Sequence, residues 1–428
     1  MRNLNPITCY TLKGKILVLI LQFLLFFISI FKYRIWKYPR VFEENPRTMT
    51  WKDLIYFAYK YYYSPPLIAE KNSDTKKRFS SFTYQYNKEN NKSGNKITLS
   101  FGGDLMPYEL INEKNTKHLW DEIGSDFFSH DIVFANLETP LDIEQMPSFV
   151  PEVMLNDMHF NTDETTFNIF SGNKAFKGYD VLSIANNHSL DMGKKGFLNT
   201  KKWLEKKGIK TIGVNASENE KIEQTCIIEK NGFKIGYIAF TYSLNQFKLP
   251  KDSPWLVNLL PLNTPDCDIN EIIRQVNLCR DKGAEYIVCS LHCGNAYQAY
   301  PSTTTINLFE KIAKQTGVDF ICGGHAHNLQ PWEMIKYPCP FSGKIKQTFC
   351  VYSLGDFIAY DVFDWCHIKA YVSIELYKNE NKEILTSIEV KPIYMDKKGN
   401  ELRLYYLKNC LNKLSKANKV LYESLYKN

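Results

Sequence analysis

The chain has 428 residues, 44% of them hydrophobic, enough for one large core with long additions or for two domains, and a disordered or fibrous chain is excluded. Residues 1–60 carry ten basic residues against three acids, an excess equal to the whole net charge of +7, while the remainder balances 43 against 43. Outside the N-terminus no basic footprint for nucleic acid remains. Eleven cysteines without a CxxC pair argue against a paired-cysteine zinc site and favour a reducing compartment over a disulfide framework.

In chain order, residues 16–31 (ILVLILQFLLFFISIF) are sixteen residues without a charge, between Lys13 and Lys15 on one side and Lys32, Arg34 and Lys37 on the other. At ~1.5 Å per residue the run reaches about 24 Å, short of a ~30 Å hydrocarbon core, and Tyr33, Ile35 and Trp36 extend it. It predicts a single-pass membrane helix within residues 1–44; no small-residue cleavage site follows Phe31, which argues against a signal peptide. Three basic residues precede the run and five follow within twenty residues, which directs the bulk of the chain to the cytoplasmic side.

Residues 45–95 read as an aromatic helix and a polar linker. Trp51, Leu54, Ile55, Ala58, Tyr59 and Tyr62 share one helical face before Pro65 and Pro66 end the helix. That face either lies on a bilayer or docks on the main domain. Residues 70–96 are polar and predict a linker or poorly ordered extension.

Over residues 96–395 short apolar runs alternate with helical patterns, the signature of α/β construction. Strands are predicted over 97–101, 132–135, 181–185, 234–240, 286–291 and 318–322, and helices over 194–207, 269–282 and 304–316. Further strands fall at 347–353, 367–376 and 384–394, and residues 396–428 read as a helical tail.

Five polar motifs each follow an apolar strand: GGDLM (102–106), NLE (136–138), ANNHSLD (185–191), LHCG (291–294) and GGHAH (323–327). Ligands of open α/β folds bind beyond the carboxyl ends of strands. Asp104, Glu138, Asn187, His292, His325 and His327 supply hard oxygen and borderline nitrogen donors, a set suited to Mn, Fe or Zn. A dinuclear centre is the expectation: two cations ~3.5–4 Å apart would polarise a phosphoryl oxygen and acidify a water. His188 is the expected proton donor to a leaving oxygen. Asn186 and Asp191 are placed beside the site as bracing groups, Gly103 as a residue of close backbone approach, and Tyr352, with Ser353, as either a substrate contact or the start of a core strand. Cys289, Cys293 and Cys322 read as buried strand residues rather than catalytic thiols. No Walker A, GxGxxG or GxSxG motif is present.

The order of these motifs resembles the calcineurin-like metallophosphoesterase superfamily, and more closely the CapA family of bacterial capsule and poly-gamma-glutamate biosynthesis proteins, over about residues 97–360. NLETP (136–140), ANNHSLDMG (185–193), PSTTT (301–305), HNLQP (327–331) and YSLGDF (352–357) carry the closer likeness. The resemblance implies a layered sandwich of mixed β-sheets flanked by helices. It assigns Asp104, Glu138 and His327 to a first metal, and Glu138, Asn187, His292 and His325 to a second. Three departures stand out. Met106 replaces a histidine of the wider superfamily and costs the first metal a ligand, Ala296 stands where the family places a glutamate, and Asp356 adds a carboxylate in YSLGDF.

The expected function is that of a membrane-anchored hydrolase or transferase acting on an anionic surface polymer or phosphoester, alongside polymer synthase or export subunits. The alternative is a non-catalytic membrane scaffold or polymer-binding subunit that keeps a degenerate metal site. A third reading, a cytosolic nucleotide phosphoesterase, leaves the membrane segment unexplained. On location, charge and cysteine usage point to the cytoplasm, whereas the resemblance implies the outer side of the membrane.

Overall fold

The computed structural model describes residues 6–40, 42–80, 83–86, 94–154, 158–380 and 383–427. Helix α1 (Leu12–Trp36) is 25 residues long, capped by the Thr11 side chain. At ~1.5 Å per residue this gives about 37 Å, so the shortfall expected from the uncharged run alone is removed by the flanking residues. Among the described residues α1 is the one helix long and apolar enough to cross a membrane, with a mean hydropathy of 2.4 over Leu12–Lys32. Both its ends rest on other parts of the chain. Thr11 N–H donates to Glu152 at 2.8 Å, and Trp36 packs on Tyr56 and Tyr59.

Helix α2 (Trp51–Tyr62) opens on a Thr50–Asp53 capping box and docks on the main domain. The buried side differs from the predicted one: Trp51 and Leu54 are 67% and 55% exposed, while Tyr56, Tyr59, Lys60, Tyr61 and Tyr62 are buried. The reason is two-sided packing, with Trp36 against Tyr56 and Tyr59 and with Tyr297 and Phe363 against Tyr61. The polar stretch after it is not a free linker where it is described. Glu70 accepts from Thr303 N–H at 3.1 Å, and Arg78, at the end of α3 (Thr75–Arg78), pairs with Glu310 and Glu333. Residues 81, 82 and 87–93 of that stretch lie outside the described residues.

After β1 (Gln85–Tyr86) come β2 (Asn95–Leu105), α4 (Gly124–Phe128), β3 (Ile132–Leu137), α5 (Glu164–Phe170), β4 (Val181–Ser183), α6 (Gly193–Lys206) and β5 (Lys210–Ile212). Then follow α7 (Glu218–Glu223), β6 (Cys226–Lys230), β7 (Phe233–Thr241), α8 (Asn270–Asp281), β8 (Tyr286–His292), α9 (Thr303–Thr316), β9 (Phe320–Gly324), β10 (Trp332–Pro338) and β11 (Ile345–Val351). The chain closes with β12 (Asp356–Ile358), β13 (Ile368–Lys378), β14 (Ile384–Lys398), β15 (Glu401–Tyr406) and α10 (Lys416–Leu425).

Among the described residues these strands form two mixed sheets. One runs β1-β14-β13-β2-β3-β4-β5, with β12 beside β2 and β15 beside β14; the other runs β10-β11-β9-β8-β7-β6. Strands β2 to β5 are mutually parallel, as are β7, β8, β9 and β11, so helical crossovers cover the outer faces. The inner faces meet in a core where Phe101 contacts Phe320 edge-on at 4.8 Å and Phe134 stacks on Tyr237. This is the layered sandwich of mixed sheets flanked by helices that the motif order implies. The helical reading of the tail needs correction. Leu402 and Leu404 alternate into the core, a period-2 pattern, and pair β15 with β14 across a turn at Gly399; two short 3-10 turns, Leu407–Asn409 and Leu411–Lys413, then lead to α10.

Candidate metal centre

The carboxyl ends of the parallel strands of both sheets converge, and Asn187, His188, His325 and His327 line a cavity there. Asp104 is the penultimate residue of β2, Glu138 follows β3, the loop carrying Asn186, Asn187 and His188 follows β4, His292 ends β8, and His325 and His327 follow β9. Asp356 opens β12, in register with Asp104.

Among the described residues two groups of potential ligands stand close together, Glu138, His292 and His325, and Asp356, Asp361 and Cys366; the first lies at the strand ends where the motifs meet. Glu138 Oε1 lies 3.3 Å from His292 Nε2, and ligand atoms of Glu138, His292 and His325 all lie within 4.8 Å of one another. Asn187 Oδ1 sits 2.7 Å from His292 Nε2; its amide is oriented by donation to Asn245 Oδ1 at 3.1 Å. Both carboxylate oxygens of Glu138 and both ring nitrogens of His325 are buried without a hydrogen-bond partner. Buried polar atoms are otherwise paired in folded proteins, so these orphaned donors fit a divalent cation. Burial lowers His292 and His325 to about 4, which keeps both imidazoles neutral, the form that ligates. Burial also raises Glu138, a cost that a bound cation would offset.

Asp104 lies one layer back. Its oxygens accept from Asn136 Nδ2 at 2.8 Å and from the His325 N–H at 3.0 Å, and its approach to His292 is at the far nitrogen, Nδ1, at 3.9 Å. Burial, then the charge of Glu138, pushes it up to about 7. The second glycine of GGHAH makes room for it, since a Cβ on Gly324 would sit 2.8 Å from Asp104 Oδ1. Gly103 instead serves the sheet: a Cβ there would meet the Gly355 carbonyl at 2.0 Å. His327 Nδ1 pairs with Asp356 Oδ1 at 2.8 Å. Although burial opposes the charge, Asp356 holds His327 up at about 10, so this imidazole must lose a proton before it can take a cation.

On the loop after β4, His188 Nδ1 meets Asp191 Oδ2 at 2.7 Å, and the same oxygen accepts from Phe160 N–H. The ring stacks on Phe160 at 4.2 Å, which leaves Nε2 as the nitrogen available to the cavity. Burial works against its protonation, yet Asp191 raises its pKa above the ordinary histidine value. Asn186 holds the loop, donating to Leu137 O and accepting from His188 N–H. Tyr352 is directed away from the cavity, with its hydroxyl on Glu333 and its ring on Phe309. Burial raises Cys289, Cys293 and Cys322, so none is a ready thiolate.

The cavity has a volume of about 780 Å³, with Leu54, Phe57 and Tyr61 of α2 on one wall, Met106 and Ala296 among its lining residues, and, among the described residues, no lysine or arginine on its surface. His325, His327, Tyr297 and Asn245 all line it with left-handed backbone, at φ 82°, 61°, 56° and 51°. Such residues cost ~1–3 kcal/mol each and persist where the surroundings over-determine them. Asn245 follows β7 and was findable by the strand-end rule. Glu44, which also lines the cavity, carried no such signal, because it lies in the charged flank of an apolar helix.

The fold is a mixed two-sheet α/β sandwich with a carboxylate, an asparagine and histidines at its strand ends. The family model described as "Bacterial capsule synthesis protein PGA_cap" matches residues 98–361, and the chain belongs to that family. It is 26% identical over 303 residues to the capsule biosynthesis protein CapA of Bacillus anthracis, spanning 68% of this chain and 66%, just under two thirds, of that one. It is 24% identical to the PGA biosynthesis protein CapA of Bacillus subtilis (strain 168), over 66% of this chain and 68% of that one. A crystal structure of the calcineurin-like phosphoesterase YfkN from Bacillus subtilis aligns at a TM-score of 0.37 and 15% identity, covering 78% of this chain and 100% of that one.

Proposed function

We propose that this chain is a membrane-associated, divalent-metal-dependent hydrolase or transferase in capsule or poly-gamma-glutamate biosynthesis, acting on a phosphoester or a related acyl centre. The observation that carries the reading is the group of orphaned donors on Glu138 and His325 beside His292 and Asn187. A divalent cation, when bound there, supplies Lewis acidity towards an oxygen of the substrate. His188 provides the proton for the leaving oxygen from Nε2, with Asp191 fixing its tautomer and orientation. Among the described residues that line the cavity there is no lysine or arginine, so the imidazoles of His188 and His327 are the basic side chains that face an anionic centre. Helix α1 holds the domain at the membrane, where polymer synthase or export subunits would be met.

The geometry favours one cation over the dinuclear arrangement, because Asp104 stands behind His292, 3.9 Å from Nδ1, whereas Glu138 meets the other ring nitrogen, Nε2. The same observation, with Met106 on the cavity wall, also favours the non-catalytic scaffold as a second reading. The test is metal content of protein purified without a metal-affinity tag, followed by hydrolysis of generic phosphodiesters and of poly-gamma-glutamate with added Mn. The expected result is about one equivalent of metal, lost in His292→Ala and His325→Ala, with a rate ~10²–10⁴-fold lower in His188→Ala. Equal background rates in wild type and His188→Ala would remove catalysis and leave the scaffold.

A further inference from the structure

Glu44 lies outside the family-matched residues 98–361, yet its carboxylate stands beside His325. The side chain is 2% exposed and ion-paired with the fully buried Lys60 of α2, whose ammonium sits over the rings of Phe57 and Phe42 at 5.0 and 5.7 Å. Glu44 Oε2 accepts from the Ala296 N–H at 2.7 Å and stands 3.8 Å from His325 Nε2. The segment is fastened around it, since the Glu44 carbonyl accepts from Tyr242 Oη at 2.8 Å and the Phe42 carbonyl from Asn295 Nδ2 at 3.0 Å.

Two chemical arguments follow. A carboxylate has about four lone-pair sites; Lys60 and the Ala296 N–H occupy two, so acceptor capacity remains on the oxygen nearest His325. Metal–ligand bonds of about 2.1 Å place neighbouring donor atoms roughly 3–3.5 Å apart. The pair Glu138 Oε1 and His292 Nε2 is spaced at 3.3 Å, and Glu44 Oε2 and His325 Nε2 come within a few tenths of an ångström of that range at 3.8 Å. His325 Nε2 has no hydrogen-bond partner of its own.

We propose that Glu44 is a further ligand of the cation held by Glu138, Asn187, His292 and His325, so that the segment entering α2 completes the centre and metal loading clamps that segment onto the domain. The inference rests on the metal-site reading above. Lys60 then positions the ligand and balances its charge, and metal binding and docking of residues 42–62 become thermodynamically linked.

The test uses the full chain in detergent, titrated with Mn²⁺ and Zn²⁺, with trypsin cleavage at the exposed Arg47 followed with and without metal. Four proteins are compared: wild type, Glu44→Gln, the double variant Glu44→Gln/Lys60→Met, which leaves no buried charge unpaired, and His292→Ala. The expected result is a ~10–100-fold weaker metal affinity in both Glu44 variants, with metal slowing cleavage at Arg47 in wild type and not in either of them. Unchanged affinity in both Glu44 variants, with affinity lost in His292→Ala, would overturn the Glu44 assignment alone. A wild type that binds neither metal would overturn the metal-site reading and this inference with it.

Discussion

Asp126 accepts from the Lys391 ammonium and from the hydroxyls of Tyr371 and Tyr406 at 2.6, 2.6 and 2.7 Å. Burial alone would raise its pKa, but these donors hold it down at about 2. The folded value lies below the unfolded value of about 3.9, so the stabilisation is complete above that value and is lost as pH falls through the folded one. Asp126→Asn is therefore expected to lower Tm at neutral pH, with the gap to wild type closing towards about pH 2, read from thermal denaturation across a pH series. Gly324 makes a second residue-scale case, because a Cβ there collides with Asp104. Gly324→Ala should cost ~1–3 kcal/mol in denaturant unfolding and weaken metal binding by displacing the carboxylate that fixes the His325 backbone.

At the scale of elements, α2 is where local pattern and final packing part. Its helical character follows from Thr50 and Asp53 at the start and Pro65 and Pro66 beyond the end, a boundary legible in the chain. The buried side was not legible, because α2 packs between α1 and the domain and its aromatic residues outnumber what one stripe accommodates. Thr50→Ala should cost ~1 kcal/mol through loss of the cap, seen as faster trypsin cleavage at Arg47 ahead of global unfolding. The tail shows the opposite case: its spacing reads as helix, and Leu402 and Leu404 become strand because β14 offers an edge to pair with.

At the scale of the whole molecule, α1 exposes Leu19, Phe23 and Phe31 at 64, 63 and 85%, more apolar surface than scattered residues explain. Full-length protein should partition with the detergent phase and resist carbonate extraction, and a chain lacking residues 1–36 should not. Removing residues through Tyr62 should do more. It uncovers Tyr297 and Phe363 and strips one wall from the cavity, so self-association is expected in size-exclusion chromatography with light scattering. Of the eleven free cysteines only Cys226 and Cys339 are not buried, which makes them the thiols that an impermeant reagent on intact cells would report.

The sequence by itself determined the parallel strands, the order of the polar motifs at their ends and the apolar helix, because burial periodicity and turn chemistry are local properties. It also determined which side chains can meet at the candidate centre, since consecutive parallel strands deliver their carboxyl ends to the same edge. Only the tertiary structure decided which donors share a space: Glu138, Asn187, His292 and His325 in front, Asp104 behind His292, His327 held by Asp356, and Tyr352 turned away. Glu44 could not be read in advance. Its carboxylate lies 252 residues in sequence from the Ala296 amide that receives it, and its charge becomes tolerable in the interior only once α2 has folded and brought Lys60 to meet it.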